Sequence, residues 1–265
     1  MGYTRVGTHW CLATGLNSQL LDVDYTYQRP TENGHVMNLV NNWNPMALDP
    51  LDVSDRDGRY YVVDGAHRLA AMRIIHGTDD FPVRVNLYYG LTYEEEAAMF
   101  ATQSGINKPV PAGYRLRAWE MAQDRDTMDF LDRTRRAGFE IVMGASVSRD
   151  GVVGAVKTAN DCYKTLGADK YEEMMKLIHD TWGGSAWSVR QEMLTGMRTF
   201  MKIYGSDYRR ERFINRLESI ERKYISREAC SHYGDTKPMA WCKAIVTFYN
   251  KKGGATALDK SKTDK

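Results

Sequence analysis

The stretch from Arg59 to Ala71, RYYVVDGAHRLAA, does most to limit what this chain can fold into. Tyr60-Tyr61-Val62-Val63 is aromatic and β-branched, the make-up of a buried strand. From Ala66 to Ile75 the apolar residues Leu69, Ala70, Met72 and Ile75 follow a helical pattern. A strand therefore turns through Asp64-Gly65 directly into a helix. Asp64 is suited to cap that helix by accepting a bond from a first-turn amide, and Gly65 lets another group come close to the backbone. Such a turn leaves unpaired amides and the positive end of the helix dipole at one spot, which favours an anion. His67 and Arg68 add two more donors there. Asp-Gly is also a common turn dipeptide, so these residues alone weigh an anion site and an ordinary turn equally.

Composition narrows the partners. The 265 residues suggest one large domain or two small ones. Lys and Arg number 36 against 34 Asp and Glu, a net charge of +2, so a nucleic-acid surface has to be a local patch. No apolar run is long enough to span a bilayer, and the opening MGYTRVGTHWCLATG lacks the apolar core of a secretory signal. The expectation is a cytoplasmic protein with no membrane partner. Cys11, Cys162, Cys230 and Cys242 form no CxxC pair and read as reduced thiols. Cys230, His232 and Cys242 are near in sequence, but their spacing fits no standard zinc knuckle, so no metal site is expected there.

Taken in order, residues 1–18 read as an irregular lead-in and Gln19–Asp24 as a short strand. Arg29 precedes Pro30 and is thereby held extended. Glu32–Trp43 reads as a helix, and Met46–Val53 and Arg59–Val63 as strands joined by Ser54–Gly58. Phe81–Tyr88 alternates cleanly as a half-buried strand. Thr92 and Glu95 form a capping box for the helix that runs to about Gln103. This order makes residues 19–112 a compact unit of mixed strands and helices. From residue 113 to 252 helical periodicity dominates, with helices over Ala112–Ala137, Val156–Leu166, Asp169–Trp182, Ala186–Tyr204, Arg209–Tyr224 and Lys237–Lys251. The Met and aromatic residues of Met193–Tyr204 fall at helical spacing and read as core. Residues 253–265, small and charged, read as a disordered tail. The fold class is therefore α+β, a small mixed sheet with helices followed by an all-helical domain.

The loop Asp64-Gly65-Ala66-His67-Arg68 resembles the nucleotide-binding loop of the ParB/sulfiredoxin superfamily, which reads Gly-Glu-Arg-Arg in ParB-like proteins, Gly-Cys-His-Arg in sulfiredoxin and Asp-Gly-Gln-His-Arg in the DGQHR proteins. Tyr27-Gln28-Arg29-Pro30 is similar to the family's early box, whose Arg faces the phosphates. Met99–Pro109, MFATQSGINKP, is similar to the later box that supplies an Asn to the phosphates or metal. The resemblance covers about residues 19 to 112 and implies a nucleoside triphosphate, CTP or ATP, as cofactor, with Mg2+ left open as its companion. Carried over position by position, it implies Arg29, Gly65, Ala66, His67, Arg68, Gln103, Asn107 and Lys108 as nucleotide-binding residues. Two departures matter. Ala66 stands where sulfiredoxin has its nucleophilic Cys, so sulfinic acid reduction is not expected. The Glu that helps hold magnesium in chromosomal ParB proteins has no evident counterpart, which puts magnesium-dependent CTP hydrolysis in doubt.

The function implied is a ParB-like nucleotide-binding protein associated with DNA, in partition, regulation or the biology of phages and mobile elements. The alternative is an enzyme on the same fold, a nuclease or a nucleotide-dependent phosphotransferase, with Asp64 and His67 as candidate catalytic groups. Basic residues of the helical half, among them Arg115, Arg133, Arg210 and Arg222, interleave with acidic ones, so a solvated mixed-charge face is the stronger reading of that charge. DNA as a partner follows from the resemblance, and a homodimer is left open.

Overall fold

The computed structural model describes residues 3–6, 9–45, 48–102, 111–142, 148–233, 237–254 and 256–263. The chain divides into two compact units, Met1–Asp124 and Arg125–Lys265.

The first unit holds a six-stranded mixed sheet of β1 (Tyr3–Val6), β2 (His9–Asn17), β3 (Leu21–Asp22), β4 (Leu51–Arg56), β5 (Arg59–Asp64) and β6 (Pro82–Tyr89), in the order β1-β2-β6-β4-β5-β3. β2 pairs with β6 antiparallel from Trp10↔Tyr89 to Asn17↔Pro82. The expected lead-in is thus an integral part of the sheet. Its sequence, HWCLATGLN, hides the strand because Gly15 and the Ala-Thr pair blur the two-residue alternation. β4 pairs with β6 in parallel and with β5 antiparallel. The β4–β5 turn is shorter than expected: Ser54–Arg56 belong to the strand, and Asp57 (φ 53°) and Gly58 (φ 83°) make the turn.

Alternation gives the sheet two unlike faces. On one, Leu51, Val53, Val62, Val83, Val85 and Leu87 pack with Leu69 of α2 (Ala66–His76). On the other, Val63 and Tyr27 pack with Ala97, Phe100 and Ala101 of α3 (Tyr93–Thr102) and Ala118 of α4 (Ala112–Met121). Because α4 packs on α3, the first unit extends to Asp124, beyond the boundary at residue 112 drawn from sequence. α1 (Asn33–Asn41) packs on α2.

Among the described residues the second unit is helical apart from a two-residue parallel pair, β7 (Glu140–Ile141) with β8 (Val152–Val153). The single helix expected over Ala112–Ala137 is two, α4 and α5 (Arg125–Arg136), separated by Gln123 at φ 53°. α6 (Val156–Leu166) and α7 (Ala168–Trp182) follow, then a 3-10 turn at Ala186–Val189 and α8 (Gln191–Tyr204). The segment read as one helix over Arg209–Tyr224 is instead α9 (Arg210–Leu217) and the start of α10 (Arg222–Tyr233). α11 (Pro238–Asn250) carries Pro at its first turn, where a missing N–H costs nothing.

Met193, Leu194, Met197, Phe200, Met201 and Tyr204 of α8 are all buried, so its Met and aromatic stripe is core. Gly196 lets α8 approach α11: a Cβ there would lie 2.6 Å from Trp241 Cβ. Trp182 stands with its ring 5.4 Å from that of Trp187 and 6.0 Å from that of Phe213, and its indole N–H donates to Leu217 O (3.0 Å). The tail, expected to be disordered, is packed. Asn250 exchanges two 2.8 Å hydrogen bonds with the Leu258 backbone, and the Tyr204 hydroxyl donates to Asp259 O (2.6 Å). Leu258 is 5% exposed.

Candidate functional site

The strand–glycine–helix turn forms as the sequence expects, but Asp64 does not cap it. Gly65 itself occupies the cap position, at φ 102°, so the cap residue has no side chain to offer the first-turn amides. Only glycine fits there. Its φ is left-handed, and a Cβ would run into the Leu51 methyl and lie 2.9 Å from Arg68 Nη2. The Asp64 carboxylate instead accepts from Arg68 Nη2 (2.7 Å). Arg68 Nη1 donates to Asp49 O (2.5 Å) and Pro50 O (3.2 Å), so this guanidinium ties the loop before β4 to the turn. Ala66 opens the helix.

His67 reaches the other way, to α1. Its Nε2 accepts from the Glu32 amide (3.1 Å), which requires an unprotonated Nε2, and its ring meets His35 edge-on at 4.9 Å. Glu32 is the cap residue of α1 and its side chain caps nothing. Two helix N-termini without side-chain caps thus meet at His67, and first-turn amides have no partner within their own helix. Arg29 stands at the same corner. Its side chain is 11% exposed, and Nη1 lies 3.5 Å from Glu32 Oε1 but is buried with no hydrogen-bond partner. Gln103, Asn107 and Lys108 lie outside the described residues.

What holds Arg29 there was not apparent from sequence. Tyr27 and Gln28, just before it, are 0% and 2% exposed. Gln28 Nε2 donates to Val62 O on β5 (2.6 Å), and the Tyr27 hydroxyl donates to Glu96 Oε2 (3.3 Å). The Glu96 side chain is wholly buried and is gripped by Arg56, whose Nε lies 2.8 and 2.9 Å from its two oxygens. Arg56 also donates to Asp24 (3.0 Å) and lies 4.0 Å over the Tyr61 ring. Burial pushes the Asp24 carboxyl up, but hydrogen bonds from Thr26 and Arg56 bring it below the usual carboxylate range. One signal for Glu96 was in the sequence. It stands between Tyr93 and Phe100 at helical spacing, on an apolar face.

The sheet face that α3 and α4 cover in part carries a polar strip. Asp52 and Ser54 of β4 share that face with Asn86 and Tyr88 of β6, opposite them in register. Asn86 Nδ2 donates to Asp52 Oδ1 (2.9 Å). A break in register between Asp52 and Val53 brings Asp64 opposite Asp52. Burial pushes the Asp52 carboxyl up, opposed by the Asn86 bond and reinforced by the Asp64 charge. Ser54 is 0% exposed, and its hydroxyl has no hydrogen-bond partner. Among the described residues no group of three or more His, Cys, Asp or Glu side chains is placed to hold a metal ion, and no helix is long and apolar enough to cross a membrane.

Compared with known proteins, residues 23–261 match the model of a family described as "Family of unknown function (DUF6551)". No curated protein matches the chain. Among solved structures it is similar to the pNOB8-like ParB N-domain, at 12% identity and a TM-score of 0.45, over 98% of this chain and 97% of that one. It is similar also to the C2221 form of that domain, at 13% identity and a TM-score of 0.44, over 96% of this chain and 100% of that one.

Proposed function

This chain belongs to that family of unknown function, and we propose that its first unit binds the phosphates of a nucleoside triphosphate, CTP or ATP, at the corner between Arg29, Gly65 and His67. The observation that carries this reading is Arg29: a buried guanidinium nitrogen with an unmet hydrogen bond, beside two helix N-termini whose cap residues make no side-chain cap bond. A buried donor left unmade costs about 1–3 kcal/mol, and an anion removes that cost. Glu32, whose side chain is 47% exposed, can swing away and yield its place on Arg29 to a phosphate oxygen. The first-turn amides and the helix dipoles add to the attraction. The likeness of the three boxes to the ParB/sulfiredoxin superfamily supports the same ligand. Arg68 has a different part in this reading. Its donors face Asp49, Pro50 and Asp64, so it holds the turn in shape while Arg29 meets the phosphate.

Calorimetry with ATP and CTP, with and without magnesium, tests this. Arg29→Ala is expected to weaken triphosphate binding by about 1.5–3 kcal/mol, the scale of a hydrogen bond to a charged group. A wild-type protein that binds neither nucleotide sinks the proposal. Association with DNA and self-association rest on the resemblance alone. A gel shift and sedimentation, each with and without nucleotide, test them.

A further inference from the structure

We propose that the polar strip on the sheet, made by Asp52, Ser54, Asn86 and Tyr88, is the subsite for the sugar hydroxyls of the nucleotide. This rests on the phosphate reading above and adds the part of the ligand it leaves unassigned.

The strip directly adjoins the phosphate corner. Asp52 is opposite Asp64 in register, and Asp64 precedes Gly65. Adjacent strands lie about 5 Å apart, so Asp52 is within reach of a nucleotide whose phosphates sit at Gly65. The strip is built for hydroxyls and against phosphate. Its polar groups are a carboxylate, an amide, a phenol and an alcohol, and the charges of Asp49, Asp52 and Asp64 surround it while Arg68 offsets only part of them. In dinucleotide-binding α/β folds a carboxylate near the phosphate-binding turn takes the ribose hydroxyl, and Asp52 is placed to do the same.

Ser54 is the independent sign that something polar belongs there. It lies on the same face as Asp52, two residues along β4. It is wholly buried, yet its hydroxyl bonds nothing, and buried hydroxyls without partners are rare in folded proteins. Tyr61 and Tyr88 flank it in register on either side, but the Tyr61 ring is already covered by Arg56, 4.0 Å above it. Asp52, Asn86 and Tyr88 are each only partly buried, so a ligand reaches the strip at these three, and it meets the wholly buried Ser54 only when a covering side chain shifts.

The test compares ATP and CTP with inorganic tripolyphosphate by calorimetry on the full chain. Ser54→Ala and Asp52→Asn remove a hydroxyl and a charge with little change of shape, and their thermal melts confirm folding. Both variants are expected to weaken nucleotide binding about 5- to 20-fold while tripolyphosphate affinity stays within twofold of wild type. Equal weakening of both ligands would show that the strip serves the phosphates or the fold, overturning the proposal. No change in either would mean that Ser54 meets only water, and overturns it too. Wild-type protein that binds tripolyphosphate but gains nothing from the nucleoside overturns the sugar subsite alone. Wild-type protein that binds neither ligand overturns the phosphate reading and this one with it.

Discussion

Arg68 and Arg29 both stand in stretches that resemble the ParB/sulfiredoxin boxes, yet they are bonded differently. Arg68 makes hydrogen bonds to two backbone carbonyls and a carboxylate. Arg68→Ala is therefore expected to lower stability by about 1–3 kcal/mol, from several hydrogen bonds lost together. Arg29→Ala is expected to change urea stability by less than about 1 kcal/mol, because the nitrogen it removes was unsatisfied. A larger loss for Arg29 than for Arg68 would reverse the two roles. Sequence could name both arginines but could not tell them apart, because the carbonyls that engage Arg68 belong to Asp49 and Pro50, far from the motif. Asp24 makes a second prediction at this scale. Its carboxyl is held below its ordinary range, so its contribution is present above the unfolded value of about 3.9 and is lost as pH falls through the lower folded value. The stability gap between wild type and Asp24→Asn, measured by urea melts from pH 7 to pH 3, should close only at the acid end.

At the scale of elements, what was legible was local. The β5–Gly65–α2 turn, the Thr92–Glu95 capping box and the buried stripe of α8 were readable because each is set by residues within a turn or two. Thr92 and Glu95 make both reciprocal bonds, at 2.8 and 3.2 Å. The break between α4 and α5 was not readable, because no Gly or Pro marks it: Gln123 adopts the left-handed conformation that ends α4. The Arg56–Glu96–Asp24 network was equally hidden, since its members are 32 and 40 residues apart. The approach of α8 to α11 at Gly196 yields an element-scale prediction. Alanine favours a helix over glycine by about 1 kcal/mol, but here its methyl would press on Trp241 Cβ, which cannot turn away. Gly196→Ala is expected to destabilise the protein by about 1–3 kcal/mol. A thermal melt that rises would show the helices free to separate.

Over the whole molecule, the division at Asp124/Arg125 gives each unit its own core. The tail that composition marked as loose is part of the second one. Leu258 is buried, and Asn250, Tyr204 and Asp207 all bond to residues between 258 and 262. Ending the chain at Gly254 should cost about 2–3 kcal/mol, the burial of one leucine together with its hydrogen bonds. A melting temperature unchanged by that truncation would restore the looser picture. The second unit also contains its own optical reporter. Trp182 and Trp187 hold their rings 5.4 Å apart at an interplanar angle of 59°, close enough for their excited states to mix. Such a pair gives a bisignate circular-dichroism couplet in the indole bands. The couplet collapses when the end of α7 parts from the 3-10 turn, so the melting of the helical unit can be followed with no label and apart from that of the sheet.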